Sequence, residues 1–238
     1  MNFQAVTFDL WNTLFVSPPG GIEVRRGSWQ KVIDDRDLEI SSELLLSVLE
    51  MLPIRFDSEW KSGRQYRAKE ALDDAFEIFG EKIDLEDKEE FSKAFDAASL
   101  ELVVEVVDGS LEVLKYLNEI GVKTGIVSDT SLSAGRHLRE YLKKFGLLPY
   151  INSFAFSDEV GVYKPDTKIF WAALEGIKIY DPTKAAHVGD LKRTDVAGAQ
   201  KMNMTSVRFR GVVDDTEDGP EAELIIDNLL ELPSVLGI

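Results

Sequence analysis

In the second half of the chain, two kinds of segment alternate regularly, and this alternation restricts the possible folds. From about residue 106 onward, short apolar runs that end at Asp, Ser or Gly alternate with longer segments whose apolar residues recur at helical spacing. The runs are Val122–Val127, Ile151–Phe156, Ala185–Val188, Thr205–Phe209 and Glu223–Ile226. Strands separated by helices predict βαβ units and a parallel sheet. The sequence therefore predicts an α/β fold.

The segment 16–105 differs from this alternation, because in almost all of it the apolar residues recur at helical spacing. Ile40 to Leu52 carries an apolar stripe, a second helix is predicted from Asp57 to Phe79, and a third from Asp84 to Val104. We therefore predict a core formed by residues 1–15 and 106–238 with an all-helical insertion at 16–105. The stretch Phe15–Gly27, which contains Pro18 and Pro19, is predicted to be a hinge between the core and the insertion.

Composition narrows the classes of partner and compartment. The 43 acidic residues against 27 basic ones give a formal charge of −16, which disfavours nonspecific binding to nucleic acid or anionic membranes. No apolar run is long enough to cross a membrane, and no signal peptide is apparent. The chain has no cysteine, which fits a cytoplasmic location. Its two histidines predict neither a zinc site nor a histidine-based triad: His187 reads as a core residue and His137 as solvated.

Polar residues stand where the predicted strands end. Asp9 follows the first strand, Ser128 closes the strand after residue 122, Lys164 lies further on, and Asp190 and Asp195 follow the strand that ends at Val188. Parallel sheets bind ligands at the carboxyl ends of their strands. A carboxylate there can act as a nucleophile, a lysine can neutralise negative charge, and paired acids suit Mg²⁺. We therefore expect transfer of a charged group to Asp9.

In this order, these residues resemble the motifs of the haloacid dehalogenase superfamily of hydrolases. The family's motifs are an Asp-x-Asp-x-Thr/Val segment after the first strand, a Ser or Thr that closes a strand, a Lys often followed by Pro, and Gly-Asp-x-x-x-x-Asp. The matching residues here are Asp9 and Thr13, Ser128, Lys164 with Pro165, and Gly189, Asp190 and Asp195. The helical insertion lies where this family places a cap domain.

The resemblance implies a Rossmann-like parallel sheet with helices on both faces, plus the helical cap. It implies a hydrolase that acts on a small molecule through a covalent aspartyl intermediate and uses Mg²⁺. The residues that it assigns to catalysis are Asp9, Thr13, Ser128 and Lys164. Those it assigns to the metal are Asp9, the carbonyl of Trp11, Asp190 and Asp195. Those assigned to substrate binding are Ser128, Asp129 and Lys164.

Trp11 departs from the motif, because phosphatases of this family carry a second Asp at that position. That Asp serves as general acid and base, whereas an indole N–H can only donate a hydrogen bond. The preferred hypothesis is therefore a Mg²⁺-dependent hydrolase of a small phosphorylated metabolite with a good leaving group. The alternatives are a 2-haloacid dehalogenase, whose halide leaves without a proton, and a non-catalytic binding protein on the same fold.

Overall fold

The structure is a computed structural model that describes residues 3–17 and 20–238, so Pro18 and Pro19 of the predicted hinge lie outside the described residues. The strands are β1 (Ala5–Phe8), β2 (Phe15–Val16), β3 (Glu105–Val106), β4 (Lys123–Ser128), β5 (Ser153–Phe156), β6 (Ala185–Gly189), β7 (Thr205–Phe209) and β8 (Leu224–Ile226). The helices are α1 (Gly21–Asp35), α2 (Ser42–Lys61), α3 (Ala68–Phe79), α4 (Leu85–Ala98), α5 (Ser110–Glu119), α6 (Gly135–Lys144), α7 (Ser157–Val160), α8 (Thr167–Gly176), α9 (Ala197–Lys201) and α10 (Leu232–Leu236).

The main sheet has the strand order β5-β4-β1-β6-β7-β8, and every pair in it is parallel. Strand β1 lies between β4 and β6, with Phe8 opposite both Ile126 and Val188. All four residues of β1 are buried, as expected of a strand covered on both faces. The predicted α/β fold, a Rossmann-like sheet with helices on both faces, is confirmed.

One apolar layer shows how the sheet and its helices are held together. Val127 of β4 and Ala155 of β5 share a buried cluster with Ile169, Phe170 and Ala173 of α8. A small residue of α8 allows the helix to lie close to the sheet: a Cβ at Gly176 would lie 2.8 Å from Cβ of Ser153 in β5. Burial of this apolar surface stabilises the packing of α8 on the sheet at about 25 cal/mol per Å².

The residues divide into two compact units. The first comprises the residues up to Ser17 together with 104–129 and 141–238, and contains the parallel sheet. The second comprises the residues between Ser17 and Val104 together with 130–140, and has an aromatic core of its own. In that core Trp29 is fully buried, and its indole N–H donates a hydrogen bond to the backbone carbonyl of Phe91 at 3.1 Å. The indole ring also packs edge-on against the phenyl ring of Phe91.

The helices of the second unit correct two sequence predictions. A helix from Asp57 to Phe79 was expected, but α2 runs through Pro53 to Lys61 and α3 begins only at Ala68. The buried stripe of α2 outweighs the one backbone hydrogen bond that a proline removes. The break between the helices instead contains Gly63, whose φ of 74° lies in the left-handed region that favours glycine. The predicted third helix also ends earlier than Val104, at Ala98.

A short antiparallel ribbon was not predicted, because its strands are only two residues long. Strand β2 pairs with β3, with Phe15 opposite Val106. Two-residue strands carry no periodicity that a sequence pattern could reveal. Among the described residues, no helix is both long and apolar enough to cross a membrane.

Candidate active site

The three central strands carry the polar residues that the sequence places at strand ends. Asp9 directly follows β1, Ser128 is the last residue of β4, and Asp190 directly follows β6. Because β4, β1 and β6 are adjacent and parallel, their carboxyl ends meet at one edge of the sheet. Asp9, Ser128 and Asp190 are all buried there.

Lys164 reaches this edge from the loop that precedes α8. Its backbone N–H donates to Asp129 Oδ1 at 2.9 Å, which fixes the loop. Its ammonium group donates to Asp9 Oδ1 at 2.6 Å and to Asp195 Oδ1 at 2.7 Å. Lys164 is only 4% exposed, so these ion pairs are screened little by water. The side chain of Asp129, which was predicted to bind substrate, therefore holds the backbone of Lys164.

Asp195 is held on every side. It lies in a π-helical turn, Lys192–Val196, where its Oδ2 accepts from the N–H of Leu191 at 3.1 Å and the hydroxyl of Thr194 at 3.2 Å. Its Oδ1 accepts from Lys164 and lies 3.0 Å from Nε2 of His187. Each oxygen thus has two polar partners, and together they fix the orientation of the carboxylate.

Gly189 makes room for that carboxylate. A Cβ built at Gly189 would lie 2.3 Å from Cγ of Asp195. The glycine of the Gly-Asp motif is therefore required by a close approach of side chain to backbone. Any larger residue would displace Asp195.

Asp190 is less constrained than Asp195. The hydrogen bond that reaches its side chain from the described residues comes from Asn12 Nδ2, at 3.5 Å from Oδ2. Asn12 has a φ of 56°, a conformation that Asn tolerates better than most residues, and its Oδ1 accepts from the N–H of Ser17 at 3.1 Å. Asn12 thus fixes the turn after β1 and also faces Asp190.

The site concentrates negative charge in a buried place. Burial, reinforced by Asp195 and Asp9, raises the pKa of Asp190 to about 8. Burial also raises the pKa of Asp9 to about 6, although Lys164 opposes the rise. Burial acts in the same direction on Asp195, but Lys164 and the hydrogen bond from His187 outweigh it and lower the pKa of that carboxyl. Lys164 remains a cation, because its acidic neighbours outweigh burial and raise its pKa.

The acids fit a divalent cation. Asp9, Asp190 and Asp195 each offer a ligand atom, and these atoms all lie within 4.8 Å of one another. Carboxylate oxygens are hard ligands of the kind that Mg²⁺ prefers. A cation would also relieve the repulsion that raises the pKa of Asp190. The residues present therefore suit a divalent metal.

Three further predicted residues differ in their surroundings. Thr13 is fully buried, and its hydroxyl has no hydrogen-bond partner among the described residues. Ser128 is fully buried with a long hydrogen bond of 3.5 Å to the carbonyl of Asp129. Trp11 is half-buried, and its ring lies 6.4 Å from that of Phe15. The structure thus brings Asp9, Lys164, Asp190 and Asp195 into one cluster, whereas no side-chain hydrogen bond among the described residues joins Thr13 or Trp11 to these four.

Sequence reasoning missed two polar residues next to this cluster, Asn12 and His187. The signal for Asn12 is its residue type, since Asn is enriched in left-handed turns. The signal for His187 is strand periodicity, which places it on the same face of β6 as Gly189. The prediction for the other histidine was wrong, because His137 is only 3% exposed, with Nε2 2.8 Å from Asp96 Oδ1.

Comparison with known proteins agrees with this arrangement. Residues 3–203 match the model of the haloacid dehalogenase-like hydrolase family. The chain is 32% identical over 134 residues to a glyceraldehyde 3-phosphate phosphatase from Methanopyrus kandleri. The aligned region covers 53% of this chain and 54% of that protein. The chain spans about half the length of the curated relatives it matches.

Solved structures resemble it over nearly the whole length. A phosphatase of the same superfamily from Thermococcus onnurineus is 26% identical, with a TM-score of 0.66 and coverage of 99% of this chain and 98% of that one. A 2-haloacid dehalogenase from Pseudomonas syringae has a TM-score of 0.73 at 23% identity, with the same coverage, and shares the fold. The family match spans most of the chain and includes the strand-end residues described above. The chain therefore belongs to the haloacid dehalogenase-like hydrolase family.

Proposed function

We propose that this protein is a Mg²⁺-dependent hydrolase of a small phosphorylated metabolite and that it acts through a phosphorylated Asp9. One observation carries the proposal: the buried ammonium group of Lys164 bridges Asp9 Oδ1 and Asp195 Oδ1 at 2.6 and 2.7 Å. A buried lysine in this place orients one carboxylate for attack and supplies positive charge beside it. The chain's kinship with phosphatases supports the same chemistry.

In the first step, Asp9 attacks the phosphorus atom of the substrate. Lys164 engages Oδ1, so we assign the attack to Oδ2. The new bond joins Oδ2 to phosphorus, and the bond from phosphorus to the leaving oxygen breaks. Ser128, at the end of the adjacent strand β4, is proposed to donate a hydrogen bond from its hydroxyl to a phosphoryl oxygen. Thr13 is proposed to support the loop after β1 that carries Asp9.

In the second step, water attacks the phosphorus of the phosphorylated Asp9, which releases phosphate and restores the carboxylate. In related phosphatases a second Asp protonates the leaving oxygen in the first step and accepts a proton from the attacking water in the second, and Trp11 can do neither. Without that group, a leaving oxygen that needs no protonation is favoured. We therefore propose acyl or aryl phosphates as better substrates than alkyl phosphates.

Asp9 and Asp190, with the carbonyl of Trp11, are proposed to hold the cation, and Asp195 supports them through Lys164. When bound, Mg²⁺ supplies charge neutralisation for the phosphoryl group. Asp190 is the acid best placed for this role, because a single 3.5 Å hydrogen bond reaches its side chain from the described residues. Its burial beside two other carboxylates supplies the driving force for binding a cation.

The test combines trapping and a substrate screen. Beryllofluoride with Mg²⁺ should bind the wild type, and Asp9→Asn should lose both binding and turnover. Asp181→Asn is the matched control, since Asp181 is an exposed residue in the turn before β6. Full turnover by Asp9→Asn would refute the mechanism.

The screen compares acyl, aryl and alkyl phosphates with 2-haloacids, each with and without chelator. The proposal predicts phosphate hydrolysis that chelator abolishes. Haloacid turnover that persists in chelator would instead identify a dehalogenase, the alternative that is compatible with Trp11. A folded protein that binds no Mg²⁺ and turns over no compound would support a binding protein.

We further propose that the helical segment 16–105 selects the substrate, as caps do in this family. A chimera that carries the corresponding segment of the Thermococcus onnurineus phosphatase, whose structure matches 99% of this chain, tests the idea. Its preferred phosphate ester should change while its metal requirement does not. An unchanged preference in a folded chimera would place selection within the parallel-sheet unit.

A further inference from the structure

His187 lies in the middle of β6, next to the acid that holds Lys164. It is 1% exposed, and its ring packs edge-on against Phe170 at a centroid distance of 4.9 Å. A buried histidine in a strand would ordinarily be explained by packing alone. Here both ring nitrogens also have polar partners, which packing does not require.

The partners of the ring define where its proton lies. Nε2 is 3.0 Å from Oδ1 of Asp195, an ionised carboxylate that can only accept, so Nε2 carries the proton. Nδ1 is 2.9 Å from the hydroxyl of Thr7, the residue opposite His187 in the β1–β6 register. The single proton of that hydroxyl has two acceptors within reach, Nδ1 at 2.9 Å and the carbonyl of Ala186 at 3.4 Å, and we infer donation to the nearer one, Nδ1. The contacts select the Nε2–H tautomer.

These contacts form a continuous buried chain from Thr7 through His187, Asp195 and Lys164 to Asp9. Its heavy-atom distances are 2.9, 3.0, 2.7 and 2.6 Å. The two ends lie two residues apart in sequence, and residues so spaced face the same side of a strand. This series of hydrogen bonds thus starts at Thr7 in β1 and ends at Asp9, which directly follows β1. Each member fixes the next, and the last contact fixes the proposed nucleophile.

We propose that His187 is a positioning residue: its Nε2–H, aligned by Thr7, holds Asp195 Oδ1 where it must be to place Lys164 against Asp9. The inference rests on the proposed function of Asp9 and Lys164. It adds a residue outside the four family motifs. His187 does not touch the reacting atoms, and its effect passes through Asp195 and Lys164.

The first test needs no turnover. Nitrogen-15 NMR of the metal-free protein reports which imidazole nitrogens are protonated, and the chain has only two histidines. His137→Asn assigns the spectrum. We expect His187 to be protonated at Nε2 and unprotonated at Nδ1. Thr7→Val should shift the Nδ1 resonance by removing its donor, and Thr7→Ser should leave it near its original position. An unprotonated Nε2, or a Thr7→Val spectrum identical to the wild type, would overturn the proposal.

The second test is kinetic and uses rescue. His187→Leu removes both polar atoms, whereas the amide of His187→Gln can still donate at the position of Nε2. We expect kcat to fall about 10- to 100-fold in His187→Leu with KM within about twofold, as for loss of an orienting partner of a site residue. His187→Gln should stay within about threefold of wild type. Equal losses in both variants, or a folded His187→Leu with wild-type kcat, would refute positioning.

Thr7→Val carries the kinetic test if His187→Leu does not fold. It removes one neutral hydrogen bond, so kcat should fall about two- to fivefold, and Thr7→Ser should restore it. Unchanged kcat in Thr7→Val would count against the buried chain. Failure of the proposed function is distinguishable: a protein that hydrolyses no phosphate ester disproves that function, while the NMR spectrum still decides where the His187 proton lies.

Discussion

Binding of Mg²⁺ to the metal-free protein should release a proton, because a carboxyl group that is neutral before binding must ionise to become a ligand. The responsible group is Asp190, whose pKa is raised to about 8 by burial and by the neighbouring carboxylates. Asp9, with a pKa raised to about 6, is mostly ionised at neutral pH. The two groups together therefore hold about one proton at pH 7 and about 0.1 at pH 9.

Isothermal titration calorimetry in buffers of different ionisation enthalpy measures the number of protons released. We expect about one per Mg²⁺ at pH 7 and almost none at pH 9, with an apparent affinity that rises between these values. Asp190→Asn should release almost no proton at pH 7 and bind Mg²⁺ more weakly, while Asp181→Asn should behave as the wild type. Binding at pH 7 without proton release would refute the assignment of a neutral Asp190.

The same shift has a consequence for stability in chelator. A carboxyl whose folded pKa is raised contributes stability that is fully present below its unfolded pKa and is lost as the pH rises through the folded value. For Asp190 this window extends from its ordinary value of 3.8 to about 8. Its contribution to the melting temperature of the metal-free protein should therefore fall across that range, and saturating Mg²⁺ should remove the fall. A larger decline in Asp190→Asn than in the wild type would contradict this.

Two further predictions concern single side chains of the site. Lys164→Met leaves Asp9 and Asp195 buried without their cation, which should cost about 3–5 kcal/mol of unfolding free energy and lower the melting temperature in chelator by about 6–20 °C. A change below about 1 kcal/mol in chemical denaturation would show that the ion pairs contribute little. Trp11→Asp restores a carboxylate where related phosphatases carry their acid–base group, so alkyl-phosphate turnover should rise by up to about 10²-fold. Trp11 is half-buried, so the variant should fold, and an unchanged ratio of alkyl to aryl turnover would show that the indole is not limiting.

The sequence predicted the parallel core well because its strands end abruptly. The run Thr205–Phe209 coincides with β7, and Ala185–Val188 differs from β6 by one residue. Buried parallel strands are short apolar runs, and a polar residue that follows one is conspicuous. The helical segment was predicted less accurately, because Pro53 reads as a helix boundary in sequence and the buried face of α2 overrides it.

Contacts between residues that are far apart in the sequence could not be predicted from sequence patterns. His187 and Thr7 are 180 residues apart and are opposed only once β6 has paired with β1. The burial of His137 likewise depends on tertiary packing, whereas its charged neighbours in sequence indicated a solvated helix face. Motif spacing predicted which residues follow strands, but their hydrogen bonds depend on side-chain directions that spacing does not define.

The central place of β1 has a consequence for how the chain folds. β1 is made first during synthesis, yet its partners β4 and β6 begin at Lys123 and Ala185. Register partners such as Ala5 and Ala185 are 180 residues apart, so this pairing has high contact order and forms slowly. The strand that precedes the proposed nucleophile therefore cannot complete its pairing until β6 has been synthesised, and its apolar residues Ala5, Val6 and Phe8 lack part of their final burial until then. Folding and completion of the site are thus one late event, and a truncated product that stops before β6 has no partner for one edge of its first strand.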